Sequence, residues 1–107
     1  MSDTVKLNVD KEGFLRNLSD WNEEIAAELA RLEGIELGED HWEIIYLVRD
    51  YYNTYRISPS ARVLVKVVGE RLGSEKGRSI HLMKLFSGRP ARVVSKVSGL
   101  PKPSNCD

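Results

Sequence analysis

Apolar and polar residues alternate at the start of the chain: Val5, Leu7 and Val9 are interleaved with Lys6, Asn8 and Asp10. A period of two predicts a strand. Asp10-Lys11-Glu12-Gly13 reads as a turn, with Gly13 suited to positive φ, and Phe14-Leu15 begins a return strand. The spacing then changes to three and four. Trp21, Ile25, Leu29 and Leu32 mark one helical face, with Asp20 as N-cap, Glu23 as its reciprocal partner and Gly34 as the closing glycine. Acidic residues at 23, 24 and 28 suit the positive end of that helix. A second helix is expected from Gly38–Asp40 to Asn53. Its apolar and aromatic positions (Trp42, Ile45, Tyr46, Val48, Tyr52) leave little wholly polar surface, so it is expected to be the central helix. Ser58 as N-cap and Pro59 as first helical residue open a third, with Ala61, Leu64, Val65, Val68 and Leu72 inward. Its β-branched run VLVKVV also fits a strand, but the Ser-Pro start and the 3-4 spacing favour a helix. Ser79 to Phe86 forms a fourth, with Ile80, Met83 and Leu85/Phe86 inward. Ser87-Gly88-Arg89-Pro90 breaks it, and a fifth helix runs from Ala91 to Ser98, closed by Gly99.

The pattern predicts one domain over residues 1–107, mainly α (α+β). It comprises a short β-hairpin region (1–18), a core of about five helices (19–98) and an extended, mobile arm (99–107). The arm reads GLPKPSNCD. Its two prolines fix φ, remove two backbone donors and push the residues before them toward extended geometry. An arm of this kind, stiffened but not packed, reaches roughly 20–25 Å from the fifth helix. It carries Cys106, the chain's single cysteine. A thiolate is the nucleophile of sulfur chemistry, and on an arm it can enter a cleft on another protein. With no second cysteine, no internal disulfide can resolve a persulfide. Lys102 favours the thiolate, while Asp107 and the α-carboxylate disfavour it. Activation is therefore expected from a partner's site.

Composition narrows the choices. About two-fifths of the residues are apolar and under a third charged, as in an ordinary globular domain. No apolar run is long enough to span a bilayer, and the first residues lack a signal-peptide pattern, so a cytoplasmic protein is expected. His41 and His81 stand forty residues apart without HExxH or CxxC spacing, so neither a metal nor another cofactor is expected. The net charge is zero but unevenly spread. Residues 1–50 hold five Lys/Arg and thirteen Asp/Glu, and residues 51–107 hold eleven and three. The two halves either pair internally or leave a basic face for an acidic partner. Arg78, Lys84, Arg89, Arg92, Lys96 and Lys102 lie around the last helix and the arm. Arg89, Arg92, Lys96 and Lys102 are the candidate partner-docking residues. His41 reads as a capping or packing residue, with catalysis as the alternative, and Trp42 as core. Tyr51, Tyr52 and Tyr55 with Arg49 and Arg56 fit either a core edge or a stacking surface for nucleic acid.

Four stretches carry a resemblance that spans nearly the whole chain in order: DKEGFL, HWEIIYLVRDYYNTYRISPSAR, LFSGRPA and GLPKPSNCD. They resemble the DsrC/TusE family of small sulfur-relay proteins, which includes the gamma subunit of dissimilatory sulfite reductase. The resemblance implies a mainly helical domain with a short hairpin, a helix-turn-helix-like part and a mobile arm whose penultimate cysteine, here Cys106, is the functional thiol. For TusE-type members it implies a sulfurtransferase without turnover of a small substrate. That cysteine accepts sulfane sulfur as a persulfide from a DsrE-like donor complex (TusBCD/DsrEFH type). It passes the sulfur to the tRNA thiouridylase that makes 2-thiouridine. DsrC proper carries a second cysteine eleven residues before the last, where this chain has Ser95. The disulfide and trisulfide chemistry of sulfite reduction is then closed, and a one-thiol relay remains open. Two further departures, Ser87-Gly88-Arg89-Pro90 for P-x-G-P and Asp107 for an apolar last residue, bear on which relay. The alternatives are a DsrC-like paralogue in sulfur oxidation or sulfite reduction, a structural reductase subunit, and a DNA-binding regulator using residues 57–86. Zero net charge and the lack of a dense basic helix argue against direct DNA binding.

Overall fold

In the computed structural model, which describes residues 6–104, a 3-10 turn (Leu18–Asp20) precedes five helices. These are α1 (Glu23–Leu32), α2 (Glu39–Tyr55), α3 (Ala61–Leu72), α4 (Ser79–Phe86) and α5 (Pro90–Val97). The mainly helical expectation holds. The hairpin is not confirmed as paired strands: among the described residues it is a single antiparallel bridge between Val9 and Leu15, flanked by hydrogen bonds from Asp10 N–H to Phe14 O (2.8 Å) and from Arg16 N–H to Asn8 O (2.9 Å), and Val5 lies outside them. The Asp10 side chain fastens the turn, its Oδ1 accepting from the N–H groups of Glu12 (2.9 Å) and Phe14 (3.0 Å). Asn17 then caps the 3-10 turn through Ser19 N–H (3.1 Å), bending the return strand away.

Local chemistry relocates two helix starts. Asn22, not Asp20, caps α1, its Oδ1 accepting from Ile25 N–H at 2.8 Å. Trp21 is therefore extended backbone ahead of the helix (φ −73°, ψ 137°) rather than part of its face. Ser60, not Ser58, caps α3 through Val63 N–H, and Ser58 and Pro59 are buried before it. The α2 cap is Gly38, whose N–H donates to His41 Nδ1 at 3.0 Å. On α4 the inward face is Leu82 and Phe86, both fully buried, while Ile80 and Met83 are 64% and 45% exposed. A helix of eight residues turns one narrow stripe inward, and the neighbouring α5 selects the Leu82–Phe86 stripe over the alternative one turn-step away.

The hub is α5, not α2. It packs against each of the other four helices, and Ala91, Val93, Val94, Ser95 and Val97 are buried along it. Proline at its first position suits this helix start. The charge asymmetry is resolved in part by pairing across the halves. Asp50–Arg71 (3.0 Å), Glu43–Lys76 (2.5 Å), Glu12–Arg92 (3.7 Å), Glu33–Lys96 (2.9 Å) and Glu12–Lys102 (3.2 Å) each join an acid of the first half to a base of the second. No helix among the described residues is long and apolar enough to cross a membrane.

Between α3 and α4 the chain folds back so closely that a Cβ on Gly77 would lie 2.5 Å from Gly69 Cα and 2.9 Å from Val65 O. Backbone cannot yield there as a side chain could. Gly77→Ala is expected to cost about 2 kcal/mol, overpacking being worth about 1–3 kcal/mol, and to lower the melting temperature by roughly 10 °C. Gly88→Ala, with open space around the site, should change it little; thermal denaturation of both variants checks this. A second expectation concerns Asp10. The backbone hydrogen bond from Phe14, followed by those from Glu12 and Gly13 and the charge of Arg16, hold its carboxyl below the ordinary aspartate range. A depressed folded-state value gives stability that is present above the unfolded aspartate range and lost as the pH falls through the folded value. Denaturation of wild type and Asp10→Ala should therefore differ at neutral pH and converge in strong acid.

Candidate functional site

Cys106, the candidate sulfur site, lies outside the described residues. What the structure defines is the base from which its segment departs. Gly99, at φ +76°, turns the chain out of α5. Its N–H donates to Lys96 O (3.1 Å), and Leu100 N–H donates to Ser95 O (2.9 Å). A side chain on Gly99 would meet the Trp21 ring at 2.5 Å. Trp21 in turn donates its indole N–H to Val97 O (2.9 Å). The Arg49 guanidinium lies 3.8 Å from the centre of the Trp21 ring and donates to Ser98 O at 2.7 Å. Burial pushes Arg49 below the usual arginine range, yet a guanidinium keeps its charge, so a cation stands at the carbonyl end of α5, where the helix dipole favours it.

The segment that follows is packed, and the expectation of a free arm from residue 99 is corrected on that point. Leu100 is 2% exposed and belongs to the core. Ser58 Oγ donates to Pro101 O at 2.6 Å. Lys102 Nζ reaches both carboxylate oxygens of Glu12 at 3.2 Å. Pro103 is buried and Ser104 exposed. The reason is physical: burying a leucine is worth about 2 kcal/mol, and proline packs against protein without leaving an N–H unsatisfied.

The four candidate docking cations are distributed over α5 and this segment. Arg92 and Lys96 lie 5.3 Å and 5.2 Å from the centre of the Phe14 ring, and their side chains are only 18% and 12% exposed. With Lys102 they converge on Glu12 and Glu33. Arg89 stands apart, exposed at the N-cap of α5. His41 is fully engaged. Its Nδ1 accepts from Gly38 N–H, which leaves Nε2 to donate to Leu85 O at 3.1 Å, and its ring meets Phe86 edge-on. That is the capping and packing role, with no nitrogen free for catalysis. His81 lies on α4, its Nε2 buried without a hydrogen-bond partner among the described residues. Trp42 is half-buried and stacks on Tyr46; Tyr46 donates its hydroxyl hydrogen bond to Glu23. Tyr52 packs on the core, and Tyr51 and Tyr55 pack on each other with centroids 4.7 Å apart. Ser95 is fully buried on α5, its Oγ without a partner among the described residues.

Sequence reasoning missed Trp21, Arg49 and Ser58 as the residues that hold the departing segment. Each has a local role that hides the tertiary one: an apparent helix face, an apparent core-edge or stacking position and an apparent N-cap. Leu100 was the available signal, a large apolar residue between a glycine and a proline.

These features define a small helical protein that presents an anchored thiol-bearing segment from the end of its central helix. The chain belongs to the DsrC family, whose model, described as "DsrC like protein", matches residues 2–106. A relative from Haemophilus influenzae named "Sulfurtransferase TusE homolog" is 47% identical over 95% of this chain and 94% of its own length. The "Sulfurtransferase TusE" of Sodalis glossinidius is 46% identical over the same shares. Among solved structures, Allochromatium vinosum DsrC superposes with a TM-score of 0.85 at 45% identity over the whole of both chains. The oxidized gamma subunit of the dissimilatory sulfite reductase (DsrC) from Archaeoglobus fulgidus superposes with 0.81 at 38% identity, covering 96% of this chain and 94% of that one.

Replacing Arg49 by Leu removes a charged hydrogen bond and a ring contact together, an expected loss of about 2–3 kcal/mol. Arg56→Leu, an exposed control at the C-cap of the same helix, should lose far less. Urea denaturation measures the difference. Hydrogen exchange at the Gly99 and Leu100 amides should quicken selectively in Arg49→Leu if the clamp positions this segment.

Proposed function

We propose that this protein is a single-thiol sulfur carrier. The observation that carries the reading is Cys106 in the GLPKPSNCD stretch of a chain 47% identical to a protein named as a sulfurtransferase. The Cys106 thiolate attacks the outer sulfur of a donor protein's persulfide. The donor's S–S bond breaks, the donor leaves as a thiolate, and Cys106 becomes Cys106–S–SH. An acceptor thiolate then attacks that outer sulfur and Cys106 leaves as its thiolate. Sulfane sulfur moves without net oxidation or reduction. Ser95 supports a relay with one thiol, because a serine cannot close an internal disulfide with Cys106. By the family resemblance the donor is a DsrE-like complex and the acceptor a tRNA thiouridylase, in the cytoplasm.

The packing of Leu100 to Pro103 changes the geometry of delivery. Cys106 stands three residues beyond Pro103, a reach of about 10 Å at full extension. Full reach of 20–25 Å requires the Ser58, Glu12 and core contacts of the segment to open. A partner's cleft must therefore either lie close against α5 or lift the segment. Lys102 is also partly neutralised by Glu12, which leaves the activation of the thiol to the partner's site.

Intact-mass measurement after incubation with a persulfide donor tests the function. Wild type is expected to gain the mass of one sulfur atom, reversibly on reduction, and Cys106→Ser is expected to gain none. An unmodified wild type, or an equal gain on Cys106→Ser, would remove the proposal.

A further inference from the structure

A groove of about 440 Å³ opens between α3, α4 and the first turn of α5. Its apolar floor is built from Ala61, Leu64, Val65, Leu82, Met83 and Pro90. Ala61, Ser79 and Pro90 are the first residues of α3, α4 and α5, and all three line it. Three positive helix ends, each equivalent to about half a unit charge, therefore meet at one place. Side-chain charge adds to them. Arg62 lines the groove, and Arg78, Lys84 and Arg89 are chain neighbours of the lining residues Ser79, Met83, Gly88 and Pro90. All four are exposed, and none makes an ion pair among the described residues. This contrasts with Lys76, Arg92, Lys96 and Lys102, which pair with acids of the first half. The two stretches that build the groove, 56–69 and 76–90, contain no Asp or Glu. Four of the six second-half cations that make no ion pair among the described residues are thus gathered here. Ile80 and Met83 extend the apolar surface outward from α4.

We propose that this groove docks an acidic amphipathic segment of a partner protein, with apolar side chains on the Leu64–Leu82–Met83 floor and carboxylates over Arg62, Arg78, Lys84 and Arg89. The apolar floor favours a peptide over nucleic acid. The rim cations could meet phosphates, but bases need stacking rings or polar edges, and the floor and α4 offer Leu64, Leu82, Ile80 and Met83 instead. Ser87, held at φ +67° and ψ −167°, a conformation that favours glycine, sets the turn that brings Gly88 and Arg89 to the rim. The groove lies at the N-terminal end of α5, and the thiol-bearing segment leaves from the other end, about 12 Å away along the helix. The inference makes no use of Cys106 and stands or falls independently of the carrier reading.

The test is selection from a display library of helical peptides of about 15 residues on the full chain. Enriched sequences should carry apolar residues at i, i+3 or i+4 and i+7, flanked by Asp and Glu. Met83→Asp and the Arg62→Glu/Lys84→Glu pair, all at exposed positions and checked for native amide spectra, should each weaken binding by about tenfold or more. Cys106→Ser should bind as wild type. Amide shifts on titration should map to α3, α4 and the start of α5. No enrichment, enrichment of neutral or basic peptides, or equal binding by the variants would overturn the proposal. So would a nucleic-acid duplex whose binding is lost in the same variants, or self-association of the wild type abolished by Met83→Asp, which would make a second copy the occupant.

Discussion

The described chain beyond α5 depends on one contact: the Trp21 side chain against the backbone of Gly99, with the Arg49 guanidinium over the indole ring and on Ser98 O. No residue with a side chain fits between the indole and that turn, since even a Cβ would come within 2.5 Å of the ring. The indole N–H and the guanidinium take the carbonyls of Val97 and Ser98, which a helix end otherwise leaves to water. Three segments distant in sequence are tied in this way. The turn before α1, the middle of α2 and the end of α5 together decide where the chain goes after Gly99. It goes into the core with Leu100 and along Ser58 and Glu12, so the route toward Cys106 begins on a rigid frame.

That frame bears on how a carrier thiol works. A thiol on a wholly free chain would reach far but arrive in no preferred direction, and ordering it costs entropy on every encounter. Anchoring through Pro103 shortens the path from the core to the thiol and aims its root. The unpaired basic groove at the opposite end of α5 complements this arrangement. A partner segment seated there would hold the two proteins together while the thiol is handed over, and its long-range field would speed encounter with an acidic surface.

The periodicity of the chain correctly announced five helices, the residues where α4 begins and ends, the bounds of α5 to within one residue, and the closing turn at Gly99, because these rest on local rules: apolar spacing, a proline at the helix start, a glycine past the end. The motif that nominates Cys106 is equally local. Errors fell where side chains compete for the same backbone groups. Asn17 caps a 3-10 turn and ends the pairing that Val9 and Leu15 begin, and Asn22 and Ser60 displace Asp20 and Ser58 as caps because each lies at the residue from which the helix departs. On α4 Phe86 is inward as its spacing suggests, but Leu82 takes the place of Ile80 and Met83, which fit the helical period equally well.

By itself the sequence determined the helical content, the family and the identity of the candidate thiol, since these depend on which residues occur and at what spacing. Tertiary structure decided which helix is central, which cations are spent on internal pairs and which remain exposed, and that the chain is held to Pro103 rather than released at Gly99. These are outcomes of competition among contacts between residues tens of positions apart, Glu12 with Lys102, Arg49 with Ser98, Ser58 with Pro101, and no local pattern encodes which partner such a group will find.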